Sequence, residues 1–138
     1  MAYLSEALRQ QVLERAHGRC EYCQTQQVVV ISMEIDHIMP ESAGGASDLD
    51  NLCLACISCN GFKQDFQRGI DPETQTEVRL FHPRHELWSK HYRWSEDGIT
   101  LVGLSPEGRA TILRLKMNRN AVCESRRLWV NAGWHPPK

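Results

Sequence analysis

The 138-residue sequence has no long hydrophobic run. Its longest apolar stretch, residues 28–31, is far short of the ~20 residues a membrane-spanning helix needs. The first residues lack the basic and apolar regions of a secretory signal. No repeat or low-complexity segment stands out. A Gly-rich cofactor loop and an HExxH helix are both missing, which argues against a small-molecule hydrolase or a redox protein with a nucleotide cofactor. The expectation is a soluble cytoplasmic protein with no membrane partner and no small-molecule cofactor. Apolar residues make up 41% of the chain, enough for a core and too many for a fully disordered polymer. The length fits one compact domain, or one domain with a substantial tail.

Six cysteines stand out against these absences. Without an export signal, Cys-x-x-Cys spacing reads as metal binding rather than as disulfides. Cys20/Cys23 and Cys56/Cys59 are two such pairs. Together they complete a tetrahedral Cys₄ zinc site, closed to substrate and so structural. Cys53 stands three residues before Cys56, so Cys53/Cys56 is a competing second pair. Cys123 reads as a small buried hydrophobe.

The net charge of −1 conceals an asymmetry. Residues 1–78 carry 5 Lys and Arg against 12 Asp and Glu, whereas residues 79–138 carry 11 against 5. An acidic front can hold cations, and a basic back can hold a polyanion such as nucleic acid. Solvated faces that happen to cluster are the bland alternative.

Residues 5–17 read as a helix with Ser5 as its cap and Gly18 as its stop. Residues 28–31 and 33–38 suggest a β-hairpin. Residues 39–47 form a loop, and a helix begins near Asp48 or Asp50 and carries residues 51–59. The order is ββα. Residues 61–76 read as a linker. Beyond it, strands are expected at 77–81 and 99–104, with helices at 84–91, from Ser105 to about Met117, and at 121–131. Trp88, Tyr92 and Trp94 read as core rather than as a base-stacking platform.

One constellation carries chemistry: Asp36-His37-Ile38-x-Pro40, then Gly44-Gly45, Asn51-Leu52, Cys56-x-x-Cys59-Asn60 and Lys63. The segments GRCEYC, EIDHIMPESAGG, DLDNL and ACISCNGFK resemble the HNH endonucleases, the ββα-metal nucleases, in a bacterial subgroup with a Cys₄ zinc. Five spaced elements agree in order over residues 17–65. The tail segments LFHPR, WSKHYRW, GLSPEGRATILRLKMNR and RRLWVNAGW are similar to that subgroup's tail. The resemblance implies an α+β fold, a ββα-metal core stapled by the zinc. Residues 1–76 would be the nuclease core, and residues 77–138 a basic α/β extension packed on the same domain. It also favours Cys56/Cys59 over Cys53/Cys56, because the family's zinc pair directly precedes the last motif residue.

By the same resemblance, Asp36 and Asn60 bind a catalytic divalent ion, His37 is the general base, and Asn51 orients His37 and fixes the loop. Asparagine rather than histidine at position 60 favours Mg²⁺ or Mn²⁺ over zinc. Cleavage of a phosphodiester needs an activated water on one side and charge stabilisation at the leaving oxygen on the other. An imidazole with a reference pKa near ~6.5 suits the first role, and a divalent ion the second. Asp36 and His37 are adjacent, so a regular strand points them to opposite faces. Glu34 shares the face of Asp36, as an extra ligand or as an ordinary exposed acid. Lys63 stands at the family's basic position as a candidate phosphate contact. Arg109, Arg114, Arg119, Arg126 and Arg127 are candidates for a DNA-facing surface, with internal ion pairs the alternative for Arg109 and Arg126. The function expected is a metal-dependent DNA endonuclease. A catalytically idle, zinc-stabilised DNA-binding module is the competing reading.

Overall fold

A computed structural model describes residues 4–29 and 32–138. The chain divides into two compact units: Met1–Gln67 with His82–His85, and Arg68–Phe81 with Glu86–Lys138. Among the described residues, no helix is long and apolar enough to cross a membrane.

The first unit opens with α1 (Glu6–Arg15). Ser5 caps it as expected, its Oγ accepting the Leu8 N–H at 3.1 Å. Glu6 in the first turn and Arg15 in the last suit the helix dipole. Leu4, Val12 and Ala16 form a core cluster with Leu52 and Leu54, and Met33 and Ile35 pack against it. Arg15 ties the helix down, donating to the carbonyls of Leu49 at 2.8 Å and Leu52 at 2.6 Å.

β1 (Met33–His37) pairs antiparallel with β2 (Leu52–Cys56), placing Asp36 opposite Cys53 and His37 opposite Leu52. This corrects the expected hairpin. Val28 and Val29 lie in a turn, Val30 and Ile31 lie outside the described residues, and β1 takes its partner from farther along the chain. It also corrects the expected helix over residues 51–59. A 3₁₀ turn (Leu49–Asn51) leads into β2, and the helix is α2 (Ile57–Lys63). The reason is burial on both faces. Every residue of β2 is buried, with Leu52 and Leu54 toward the α1 cluster and Cys53 toward Asp36. Such a strand shows an unbroken apolar run with no period to betray it. The ββα order survives with a longer connection between its strands, and the fold is α+β.

The second unit contains two hairpins, β3 (Arg68–Ile70) with β4 (Glu77–Arg79) and β5 (Tyr92–Trp94) with β6 (Leu101–Gly103). Three helices complete it: α3 (Trp88–His91), α4 (Pro106–Arg114) and α5 (Asn120–Asn131). Ser105 caps α4, accepting the Gly108 N–H at 2.9 Å, with Pro106 in the first turn as the sequence predicts. The segment expected as a linker instead holds the end of α2, then β3 and its turn. Asp71 in that turn accepts the Thr74 hydroxyl at 2.7 Å and both arms of the Arg109 fork at 2.9 Å. Arg126 is wholly buried, donating to the carbonyls of Ile99 at 3.0 Å and Met117 at 2.7 Å, and it lies 5.0 Å over the Trp94 ring. Trp88 contacts the rings of Tyr92 and Trp94.

Arg109 takes the internal ion pair that was its alternative reading, and the expected DNA contact of Arg126 is corrected. Arg109 is held by the buried Asp71 carboxylate, and Arg126 by main-chain carbonyls, because an interior guanidinium needs its donors satisfied inside. Arg119 donates to the Lys116 carbonyl at 3.1 Å, Arg114 is half-buried, and Arg127 is exposed with Glu124 at 3.8 Å.

Candidate active site and metal centre

The thiolate set is complete. The Sγ atoms of Cys20, Cys23, Cys56 and Cys59 all lie within 4.8 Å of one another, and all four residues are buried. Cys23 and Cys56 sulfurs are 3.8 Å apart. Two thiolates bonded tetrahedrally to one zinc at ~2.3 Å stand ~3.8 Å apart, so the set fits that ion. Each knuckle carries the same local bond: the Cys23 N–H approaches Cys20 Sγ at 3.4 Å, and the Cys59 N–H approaches Cys56 Sγ at 3.4 Å. Burial pushes the Cys20 thiol well above its ordinary value. Hydrogen bonding to Cys20 holds Cys23 and Cys56 below theirs, toward the thiolate that a metal requires. Cys53 lies outside this set, its Sγ turned to Asp36 Oδ2 at 3.9 Å, and burial pushes its thiol up. Cys123 is half-buried, its Sγ 3.5 Å from the Asn118 carbonyl.

Asn51 fixes the loop that follows β1. Its Oδ1 accepts the Met39 N–H at 2.8 Å, and its Nδ2 donates to the carbonyls of Met39 and Ala46, both at 2.9 Å. Gly45 is required here, since a Cβ on it would fall 1.8 Å from the Met39 carbonyl oxygen. The loop in turn presents Ser47 and Glu41 to His37. Nε2 of His37 meets Ser47 Oγ at 2.8 Å, and Nδ1 stands 3.9 Å from Glu41. The loop that Asn51 pins is thus the one that carries both neighbours of His37. Ser47 is a site residue that sequence reasoning misses, because nothing in its spacing marks it.

Asp36 and Asn60 were expected to share one ion, but their amide and carboxylate partners differ. Asp36 Oδ2 accepts the Tyr22 hydroxyl at 2.7 Å and faces Lys63 Nζ at 3.1 Å. Asn60 Nδ2 instead donates to Glu34 Oε1 at 3.0 Å. Lys63 is 2% exposed and also donates to the carbonyls of His37 at 3.4 Å and Ile38 at 3.1 Å. Its expected phosphate contact is therefore corrected: the ammonium faces inward. Burial pushes the Asp36 carboxyl up, and the Lys63 ammonium pulls it back toward ionisation. Breaking such a buried pair from one side costs on the order of 3–5 kcal/mol. Tyr22, inside the first zinc knuckle, joins the metal centre to this pair, a role with no signal in the sequence.

A cleft of about 820 Å³ runs along β1, and its lining includes Glu34, Asp36, His37, Glu41, Asn60 and Asp65. Carboxylates dominate its charged groups, with Glu6 also in the lining and Arg9 as a cation. A phosphodiester enters such a field only with cations to neutralise it. Hard oxygen donors of this kind suit Mg²⁺ or Mn²⁺ rather than a soft ion. Among the described residues, no group of three His, Cys, Asp or Glu besides the four cysteines gathers as closely. A hard ion that keeps most of its waters needs only one or two protein oxygens, so the cleft fits it. His82 and His85, a second histidine pair, stack ring on ring at 3.8 Å rather than opening toward a common ion.

No curated protein matches the chain. Residues 20–66, which hold both Cys-x-x-Cys knuckles, β1, the pinned loop, β2 and most of the residues lining the cleft, match the HNH endonuclease domain family.

Proposed function

We propose that the protein is a metal-dependent endonuclease that hydrolyses phosphodiester bonds of DNA, with His37 as the general base. The observation that carries this reading is the placement of His37 in an acidic cleft beside Glu34 and Asn60, within the stretch that matches the nuclease family. His37 is held on one ring nitrogen by Ser47 and faced on the other by Glu41, so the ring is oriented before substrate arrives. It takes the proton from the attacking water, as imidazole can at neutral pH. Asn51 keeps the loop closed beneath it, and Lys63 holds the His37 and Ile38 carbonyls so that the backbone leaves the strand at a fixed angle. A bound Mg²⁺ or Mn²⁺ supplies charge neutralisation at the phosphate and at the leaving oxygen. The structural zinc takes no part in the chemistry, because its four thiolates leave no open position.

The competing reading, an idle zinc-stabilised DNA-binding module, draws on one observation: the Asp36 carboxylate is engaged by Lys63 and Tyr22. Purified protein on supercoiled plasmid separates the two. The nuclease reading expects nicking with Mg²⁺ or Mn²⁺ and none with EDTA. Plasmid binding without nicking under every ion would support the idle module instead.

A further inference from the structure

We propose that Gln64 contacts the substrate: its side-chain amide donates to a backbone phosphate oxygen of the nucleic acid entering the cleft, and the chain holds a strained turn to present it. This rests on the nuclease reading of the cleft and adds a contact that positions its substrate. The turn follows α2 over residues 63–66 and is closed by the Phe66 N–H, which donates to the Lys63 carbonyl at 3.0 Å. Its first central residue, Gln64, has a φ of 50° and a ψ of −134°. Those angles belong to the first central position of a type II′ turn, where glycine is the ordinary occupant because a Cβ is strained there.

Strain of this kind persists only where the surroundings over-determine the backbone, and it gathers at functional sites. Here the neighbours fix both sides of Gln64. Its own N–H donates to the Asn60 carbonyl at 3.1 Å, Lys63 before it is anchored on Asp36 and the Ile38 carbonyl, and Asp65 after it accepts the Ser42 hydroxyl at 3.0 Å. His17, Gln24, Gln75 and Lys116 also have positive φ, but of these five residues Gln64 alone lines the cleft. Its side chain is exposed. Of the amide and hydroxyl side chains in the cleft lining, Gln10 donates to Glu14, Ser42 to Asp65 and Asn60 to Glu34, whereas Gln64 has no hydrogen-bond partner among the described residues. The fold therefore draws no such bond from the side chain it strains to place. A free amide N–H suits a phosphate oxygen, and contacts of that kind set a strand in register without reading its bases. Arg9, the cation in the lining, already spends its Nε on the Leu4 carbonyl at 3.3 Å, so a neutral donor is what the α2 end of the cleft has to offer.

The test is fluorescence anisotropy of zinc-loaded, full-length protein with two labelled DNA duplexes of unrelated sequence in Mg²⁺, every protein carrying His37→Ala so that neither duplex is cut. Gln64→Ala keeps the strained turn and removes the amide. It should weaken binding of both duplexes alike, by at least about fivefold, with the calorimetric melt within about 1 °C of the parent. Gln64→Gly removes the strain as well. It should bind as weakly as Gln64→Ala and melt about 2–5 °C higher than the parent. Parental affinity in Gln64→Ala overturns the proposal, as does a parent that binds neither duplex. A loss confined to one duplex overturns the phosphate assignment in favour of a base contact, and a Gln64→Gly protein that melts no higher than the parent overturns the strained turn. Nicking of plasmid by the protein with His37 intact is scored separately. Duplex binding without nicking sinks the nuclease reading and leaves this contact standing, whereas nicking together with parental affinity in Gln64→Ala does the reverse.

Discussion

In the unit that carries the two Cys-x-x-Cys pairs, one apolar cluster joins Leu4, Val12, Ala16, Leu52 and Leu54, and the same unit holds four clustered thiols and the Asp36–Lys63 pair. In the other unit no such thiol set exists among the described residues, and arginines tie the chain together: half-buried Arg109 forked onto buried Asp71, and buried Arg126 spread across three acceptors. The first unit gathers four thiols that suit a structural metal ion such as zinc. The second is closed by groups the chain itself supplies. If a metal rather than a large core holds its ends in register, a small strand-and-helix motif can spare polar side chains for an open cleft.

Metal removal should break this comparison most visibly. All four tryptophans, Trp88, Trp94, Trp129 and Trp134, lie in the second unit, so tryptophan fluorescence reports on that unit alone. Stripping zinc, or Cys23→Ser, should unfold the first unit, with a loss on the order of 10 kcal/mol as in metal-dependent finger peptides. Thiol reactivity should rise while the tryptophan-detected melt stays in place. A tryptophan melt that collapses with the metal would show that the units do not differ in this way.

The next largest effect concerns the buried pair. Lys63→Met leaves Asp36 buried without its counter-ion and should cost about 3–5 kcal/mol by chemical denaturation. Adding Asp36→Asn to that variant should recover much of the loss, and recovery of nothing would remove the pair from the account. In the second unit, Arg126→Met strips donors from the Ile99 and Met117 carbonyls and should cost roughly 1–3 kcal/mol, read in the tryptophan melt.

Smallest is the response to acid. The Arg109 fork holds the Asp71 carboxyl well below the usual carboxylate range. A depressed carboxyl contributes stability that is fully present above its unfolded value, near ~3.9, and is lost as pH falls toward the folded value. The tryptophan melt should therefore decline below about pH 4, where an unfolded carboxylate begins to protonate, and Asp71→Asn should flatten that decline. An unchanged acid limb in the variant would assign the decline to other carboxylates.

Much of this arrangement was legible in the residues. Ser5 and Ser105 announce their helices, the thiol spacing announces the metal centre, and Asp36-His37 sits at a strand end as expected. The partner of that strand was not legible. Residues 28–31 are β-branched and near in sequence, so local propensity favours them, whereas the true partner lies beyond a loop and its apolar run has no period. Interior charge was equally hidden. Lys63 reads as a phosphate contact or a solvated side chain, and Arg126 as DNA-facing or internally paired, and only their carbonyl and carboxylate partners decide for the interior. Glu34 and Asp36 look alike in a period of two, and the ammonium behind one of them is what separates them.

The most direct measurement of the central claim is cleavage of supercoiled plasmid by His37→Ala beside the wild type, with Mn²⁺ present and zinc content determined on both. The account predicts that the variant keeps its zinc and its melting temperature and loses nicking by at least about a hundredfold, the scale of a removed general base. Undiminished nicking by a folded, zinc-loaded His37→Ala protein would contradict it.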